Sequence, residues 1–223
     1  MQPGGWRWIM WVMPPTKFAA VFLLAFSAVA AEVPLPDLRI EPTGGGSIFY
    51  IRNNSPQPLT AYLIELVDYP GSSYSLWQDE TVAEPVPPKG EKRIQVANMT
   101  VGAVPDYVKM RAARYADGTT AGVPEKVAQL VDRRRAMLET TRQLIARVEK
   151  AQSGSTPKAD LVADLKQWAD TLQPQGKGNR NSQAAINQAA SRGLVTATAG
   201  NLDGQSPAES LTVLRGWERA LAR

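Results

Sequence analysis

The chain has 223 residues, 43% of them apolar, with 25 basic and 21 acidic side chains and neither histidine nor cysteine. That is ordinary globular composition with room for one or two cores, and a net charge of +4 is too weak a footprint for nucleic acid. Zero cysteine excludes disulfides, thiolate nucleophiles and Cys-rich zinc sites, and zero histidine removes the commonest metal ligand and the usual general base near neutral pH.

The first element in chain order is an address label. Lys17 supplies positive charge, and Phe18 to Val29 is an apolar run of about 12 residues, short for a membrane span of about 20. Ala28, Val29 and Ala30 offer small residues for cleavage, and Glu32 and Pro34 end the run. Residues 1–30 are therefore read as a signal peptide, with Ala31 as the mature N-terminus. Translation could start at Met1 or Met13, since Pro14, Pro15 and Lys17 separate "WRWIMWVM" from the apolar core. No second apolar run follows. The expectation is an exported protein, periplasmic or secreted, with no membrane span after signal cleavage.

Residues 31–122 read as β-structure. Ile48 to Ile51 is a β-branched and aromatic run, Asn53, Asn54, Pro56 and Pro58 form a turn, and Leu59 to Val67 alternates. Glu65 shares a face with Leu59, Ala61, Leu63 and Val67. The opposite set, Tyr62, Ile64 and Leu66, is read as the buried one, because an unpaired buried carboxylate is costly. A Pro-rich stretch and a Gly turn lead to a strand with Ile94 and Val96 inward. In the strand after Pro105, Val108, Met110 and Ala112 are placed on one face, and Lys109, Arg111 and Ala113 on the other. Asp117-Gly118 makes the next tight turn.

Six or seven short strands, with turn signals every 8–12 residues, predict an immunoglobulin-like sandwich. The order strand, Asn-rich turn, strand, Pro/Gly turn and a last strand running into "ADGTTAG" resembles uncharacterised exported bacterial proteins with a small immunoglobulin-like β-sandwich. The resemblance spans residues 46 to about 135 and implies a fold but no activity.

Residues 123–223 change period and charge. Residues 31–123 hold 8 basic and 11 acidic side chains, and residues 124–223 hold 15 and 10. Pro124 and Glu125 suit a helix start. Leu130, Met137 and Leu144, with Val131, Leu138 and Ile145, form two rows at seven-residue steps over 124–151, a stripe that could pack on neighbours or self-associate. "SGST" breaks this helix and Thr156-Pro157 starts another, striped by Leu161, Leu165, Trp168 and Leu172. A Gly-rich polar loop near 173–182 is expected to be flexible. "QAAINQAASRG" is read as a helix ending at Gly193, and "LVTATAGNLDGQ" is ambiguous. Ser206, Pro207 and Glu209 make a capping box that opens a last helix with Leu211, Leu214, Trp217 and Leu221 on one face. The fold class is thus α+β: the sandwich, then a helical hairpin or small bundle. The boundary predicts that residues 31–122 fold alone.

Two stretches are binding candidates. In "DYPGSSYSLWQDE", Tyr69, Tyr74 and Trp77 surround a Pro-Gly loop, and aromatic faces beside polar groups bind sugars or peptides. Trp77 has a competing use, filling the sandwich core. In "DRRRAMLETTR", Arg133, Arg135 and Arg142 lie off the apolar stripe and could meet carboxylates or phosphates on an envelope polymer. A solvated face with pairs such as Arg135–Glu139 is the default reading for charges on a helix, and Arg134, nearer the stripe, could pair with an acid. Asp79 and Glu80 are adjacent and make a poor acid/base pair. The reading is a non-enzymatic interaction or structural protein of the cell envelope, binding another protein or an envelope polymer, with no metal, no cofactor and no nucleic acid. The alternative is a carbohydrate-binding or hydrolytic envelope protein using loop 68–80.

Overall fold

The structure, a computed structural model, describes residues 33–173 and 182–223. Residues 1–30, read above as a signal peptide, and most of the 173–182 loop lie outside the described residues.

Among the described residues, seven strands form two antiparallel sheets. β1 (Asp37–Thr43), β2 (Gly46–Arg52) and β5 (Glu91–Val96) make a three-stranded sheet in the order β1-β2-β5. β3 (Leu59–Leu66), β4 (Ser75–Gln78), β6 (Val108–Tyr115) and β7 (Thr120–Gly122) make a four-stranded one in the order β4-β3-β6-β7. One apolar cluster draws on both sheets: Phe49 and Ile51 from β2, Tyr62 and Ile64 from β3, Val96 from β5, and Val108, Ala113 and Tyr115 from β6. Alternation in β2 puts Phe49 and Ile51 on that inner face, as period-2 geometry demands. Ile94 packs beside Val96. The Asp117 turn is local chemistry: its Oδ1 accepts from Thr119 N at 3.0 Å and Thr119 Oγ1 at 2.7 Å, and Gly118 takes φ +87°.

The alternation read for β6 breaks in the middle. Leu63 pairs with Ala112, but Ile64 pairs with Met110, so Arg111 is an extra residue. This bulge turns both Arg111 and Ala112 outward and brings Ala113 and Tyr115 to the inter-sheet core. The expected faces of Ala112 and Ala113 are therefore exchanged. A second irregularity at Thr60 lets Leu59 join the inner face while Ala61 and Leu63 point outward. Tyr62, Ile64 and Leu66 lie inward, as the Glu65 argument requires.

After β5 a short helix, α1 (Met99–Ala103), crosses to β6. Four longer helices follow: α2 (Pro124–Ser153), α3 (Lys158–Thr171), α4 (Gln183–Gly204) and α5 (Pro207–Leu221). α2 packs on α4 and α5, and α3 packs on α4. Their shared core takes Met137, Leu144 and Val148 from α2, with Leu161, Leu165, Val195, Leu202 and Leu214 from the others. The second row of α2, Leu138 and Ile145, is half-buried against the same core. Pro157 sits at the N-cap of α3 with no side-chain cap, one residue later than the Thr156 start expected. The Ser206–Glu209 capping box is formed. Gly193 does not end α4. The helix runs on to Gly204 because Leu194, Val195, Thr198, Ala199 and Leu202 continue its buried stripe.

The outer face of the four-stranded sheet is not left to solvent. The first turns of α2 cover it, and Leu130 is buried with Ala61, Leu63 and Ala112, with Val127 and Trp77 packed around them. Lys126 Nζ meets Glu65 Oε1 at 3.0 Å across this seam. Glu65 thus keeps its outward face and still finds a partner. Among the described residues no helix is long and apolar enough to cross a membrane.

Candidate functional site

α2 covers only part of the sheet's outer face. Where it leaves β4 and the end of β3 uncovered, α4 overhangs, and a cleft of about 580 Å³ remains. Its floor is Glu65, Ser75 and Trp77, and its sides are Arg111 from β6 and Lys126, Gln129 and Arg133 from α2. The far wall is small and apolar: Ala185, Ile186 and Ala189 of α4. Tyr74 and Asp68 stand at the β3–β4 end.

Each side chain has a local reason for its place. β4 is an edge strand whose residues alternate about the sheet, so Ser75 and Trp77 face the helices while Leu76 turns to the inter-sheet cluster. Trp77 sits over the Ala61–Leu63–Ala112–Leu130 patch, and the Arg133 guanidinium lies 5.6 Å from its ring centre. Arg133 Nη1 also donates to Asp79 Oδ2 at 2.5 Å. The Asp79 side chain is fully buried. Its other oxygen accepts from Thr81 N at 2.9 Å and Thr81 Oγ1 at 2.5 Å. Burial pushes the Asp79 carboxyl up, but the Arg133 charge and the bonds from Thr81 and Arg133 outweigh it and hold the group below its ordinary value.

Next to this pair lies a second. Glu80 accepts from Arg134 Nη2 at 3.1 Å and from Arg223 Nη2 at 2.9 Å, and Arg134 Nη2 also donates to the Ala220 carbonyl at 3.0 Å. Arg134, on the buried stripe, pairs with an acid as its position implied. Asp79 and Glu80 are each fixed to arginines of α2.

The structure gathers three of the six sequence candidates and separates the rest. Tyr74, Trp77 and Arg133 line the cleft. Tyr74 is partly spent on the core, edge-on to Phe49 at 6.4 Å, and burial raises its hydroxyl pKa. Tyr69 turns away to an edge-on contact with Tyr107 at 5.3 Å. Arg135 is exposed and pairs with Asp132 at 2.7 Å, not with Glu139, which accepts from Gln143. Arg142 reaches Glu218 of α5 at 3.1 Å. Sequence reading missed Arg111, Lys126 and the α4 wall. The available signal was Glu65, an acid on a strand face otherwise holding Ala61 and Leu63, which called for a cation from a covering element. Among the described residues, no group of three acidic side chains could hold a metal ion. Comparison with protein-family models, with curated proteins and with solved structures finds no match to this chain.

Proposed function

We propose that this chain is an exported, non-enzymatic interaction protein of the bacterial cell envelope, an immunoglobulin-like sandwich braced by helices that offers its cleft to a protein partner. The strand order supports the sandwich type. The first, second and fifth strands share one sheet and the third, sixth and seventh the other, the pattern of strands A, B, E and C, F, G in immunoglobulin domains, with the fourth strand here joined to the third. Export rests on Lys17, the Phe18–Val29 run and the small residues at 28–30.

The observation that carries the binding reading is the fate of the cleft's charges and aromatics. Asp79, Glu80 and Glu65 are each tied up in ion pairs with cations of the helices, so their carboxylate oxygens are already engaged. The three aromatics of loop 68–80 do not converge on a flat sugar platform: Tyr69 faces Tyr107, Tyr74 meets Phe49, and Trp77 lies beneath Arg133. What remains is a charged, partly apolar recess beside an edge strand, the setting of peptide recognition.

The test is cross-linked capture from native envelope extract, with Ala189→Trp as the comparison. Ala189 is exposed on the α4 wall, so a large side chain there fills the cleft without disturbing a core. A protein partner held by the wild type and lost by Ala189→Trp supports the reading. Identical capture by both, or enriched polysaccharide with no protein, refutes it. N-terminal sequencing of the exported form at Ala31 tests the signal peptide.

A further inference from the structure

The cleft wall holds a guanidinium without a hydrogen-bonded partner. Arg111 donates no side-chain hydrogen bond to any described residue. Its Nε is buried, and the nearest acid, Glu65, lies 3.6 Å away, beyond hydrogen-bond reach. Glu65 is already held at 3.0 Å by Lys126. One carboxylate therefore serves two cations. The third cation, Arg133, is matched by buried Asp79, and the remaining acid of the lining, Asp68, is exposed at the rim. The inner cleft thus has a cation to spare, and that cation is a planar fork suited to a carboxylate.

Two further features define what bears that carboxylate. β4 is the edge of its sheet, and its outer backbone groups pair with no described residue, so an extended chain can add beside it. Opposite, Ala185, Ile186 and Ala189 form a shallow wall that suits one apolar side chain. Trp77 offers no open face to a sugar ring, since Arg133 lies over it and the Ala61–Leu63–Ala112–Leu130 patch lies beneath.

We propose that the cleft binds an acidic polypeptide segment. The segment extends along β4, rests an apolar side chain on Ala185 and Ile186, and gives a carboxylate to Arg111 beside Lys126. This rests on the interaction reading above and names its ligand.

The test pans a random heptapeptide phage library against the compact unit Glu32–Arg223. The most enriched peptide is then synthesised, and its affinity is measured by fluorescence anisotropy on wild type and variants. Enrichment of Asp and Glu is expected, with binding about tenfold weaker on Arg111→Gln. Because Arg111 Nε is buried, a thermal melt checks that this variant folds. Asp68→Asn is the second arm: asparagine tolerates the φ of +55° at this position, and losing the rim acid should tighten binding about threefold. Selected peptides without acidic residues, or one affinity shared by wild type, Arg111→Gln and Asp68→Asn, overturn the acidic assignment while leaving the interaction reading intact. That reading falls separately, if Ala189→Trp keeps every partner. Tetragalacturonate binding with the same Arg111 dependence, and no peptide selected, assigns the site to an acidic sugar and also overturns the proposal.

Discussion

Between the two sheets, burial is almost wholly apolar: Phe49, Ile51, Ile64 and Val108 meet without a charge. Between the four-stranded sheet and the helices, a patch of four buried residues is ringed by Lys126–Glu65, Arg133–Asp79, Arg134–Glu80 and Arg223–Glu80. The two contacts differ in what a mistake costs. An apolar core loses packing in proportion to the volume removed. An ion-paired seam loses little when both partners go and much when one is left behind in a dry site. The core supplies stability, and the seam fixes where α2 and α5 sit on the sheet.

The largest expected effect separates these regimes. Phe49→Ala should cost about 3–5 kcal/mol by urea unfolding. Arg134→Met should cost about 3 kcal/mol, because Glu80 keeps only the exposed Arg223. Adding Glu80→Gln to Arg134→Met should recover most of that loss. If the double variant is as weak as the single, the seam is held by packing and the contrast fails.

A pH titration sharpens the same contrast. Asp79 is held below its ordinary value in the folded chain, so the stability it contributes is present above the unfolded value of about 3.9 and fades as pH falls through the folded one. Glu41, Asp117 and Glu209 are also held low by hydrogen bonds, so the acid limb has several sources. The difference between wild type and Asp79→Asn isolates the seam. The wild-type advantage in melting temperature should shrink below about pH 4. An advantage independent of pH means that Asp79 is not the acid-sensitive group.

Smaller effects belong to the helices alone. Ser206→Ala removes the oxygen that caps Glu209 N and should cost about 1 kcal/mol. Gly193→Ala should stabilise by about 1 kcal/mol, since a Cβ at this mid-helix position meets nothing within 4 Å. A destabilised Gly193→Ala would show that α4 breaks there, as the sequence alone implied.

Those outcomes bear on what a single sequence reveals. The β2 and β3 faces, the Asp117 turn and the α5 capping box are encoded within a few residues, and period and turn chemistry recover them. The β6 bulge is not local. Arg111 becomes the extra residue only because β3 and β6 pair in one register, so simple alternation put Ala112 and Ala113 on the wrong faces. α4 was cut at Gly193 because glycine weighs heavily in a local reading, whereas packing on α2 and α3 overrides it. Half of the cleft was visible as Tyr74, Trp77 and Arg133. The other half comes from α4, more than 100 residues further along the chain, and from the bulge.

The Glu80–Arg223 contact joins residues 143 positions apart. On a growing chain the strands are complete at residue 122, but this pair waits about a hundred residues more. At roughly 5–20 residues per second, that interval is on the order of ten seconds. α2 can cover the outer sheet face early in that interval, but Glu80 waits for Arg223 and α5 until its end. Completion of the seam by Arg223 is therefore the slow, non-local end of folding.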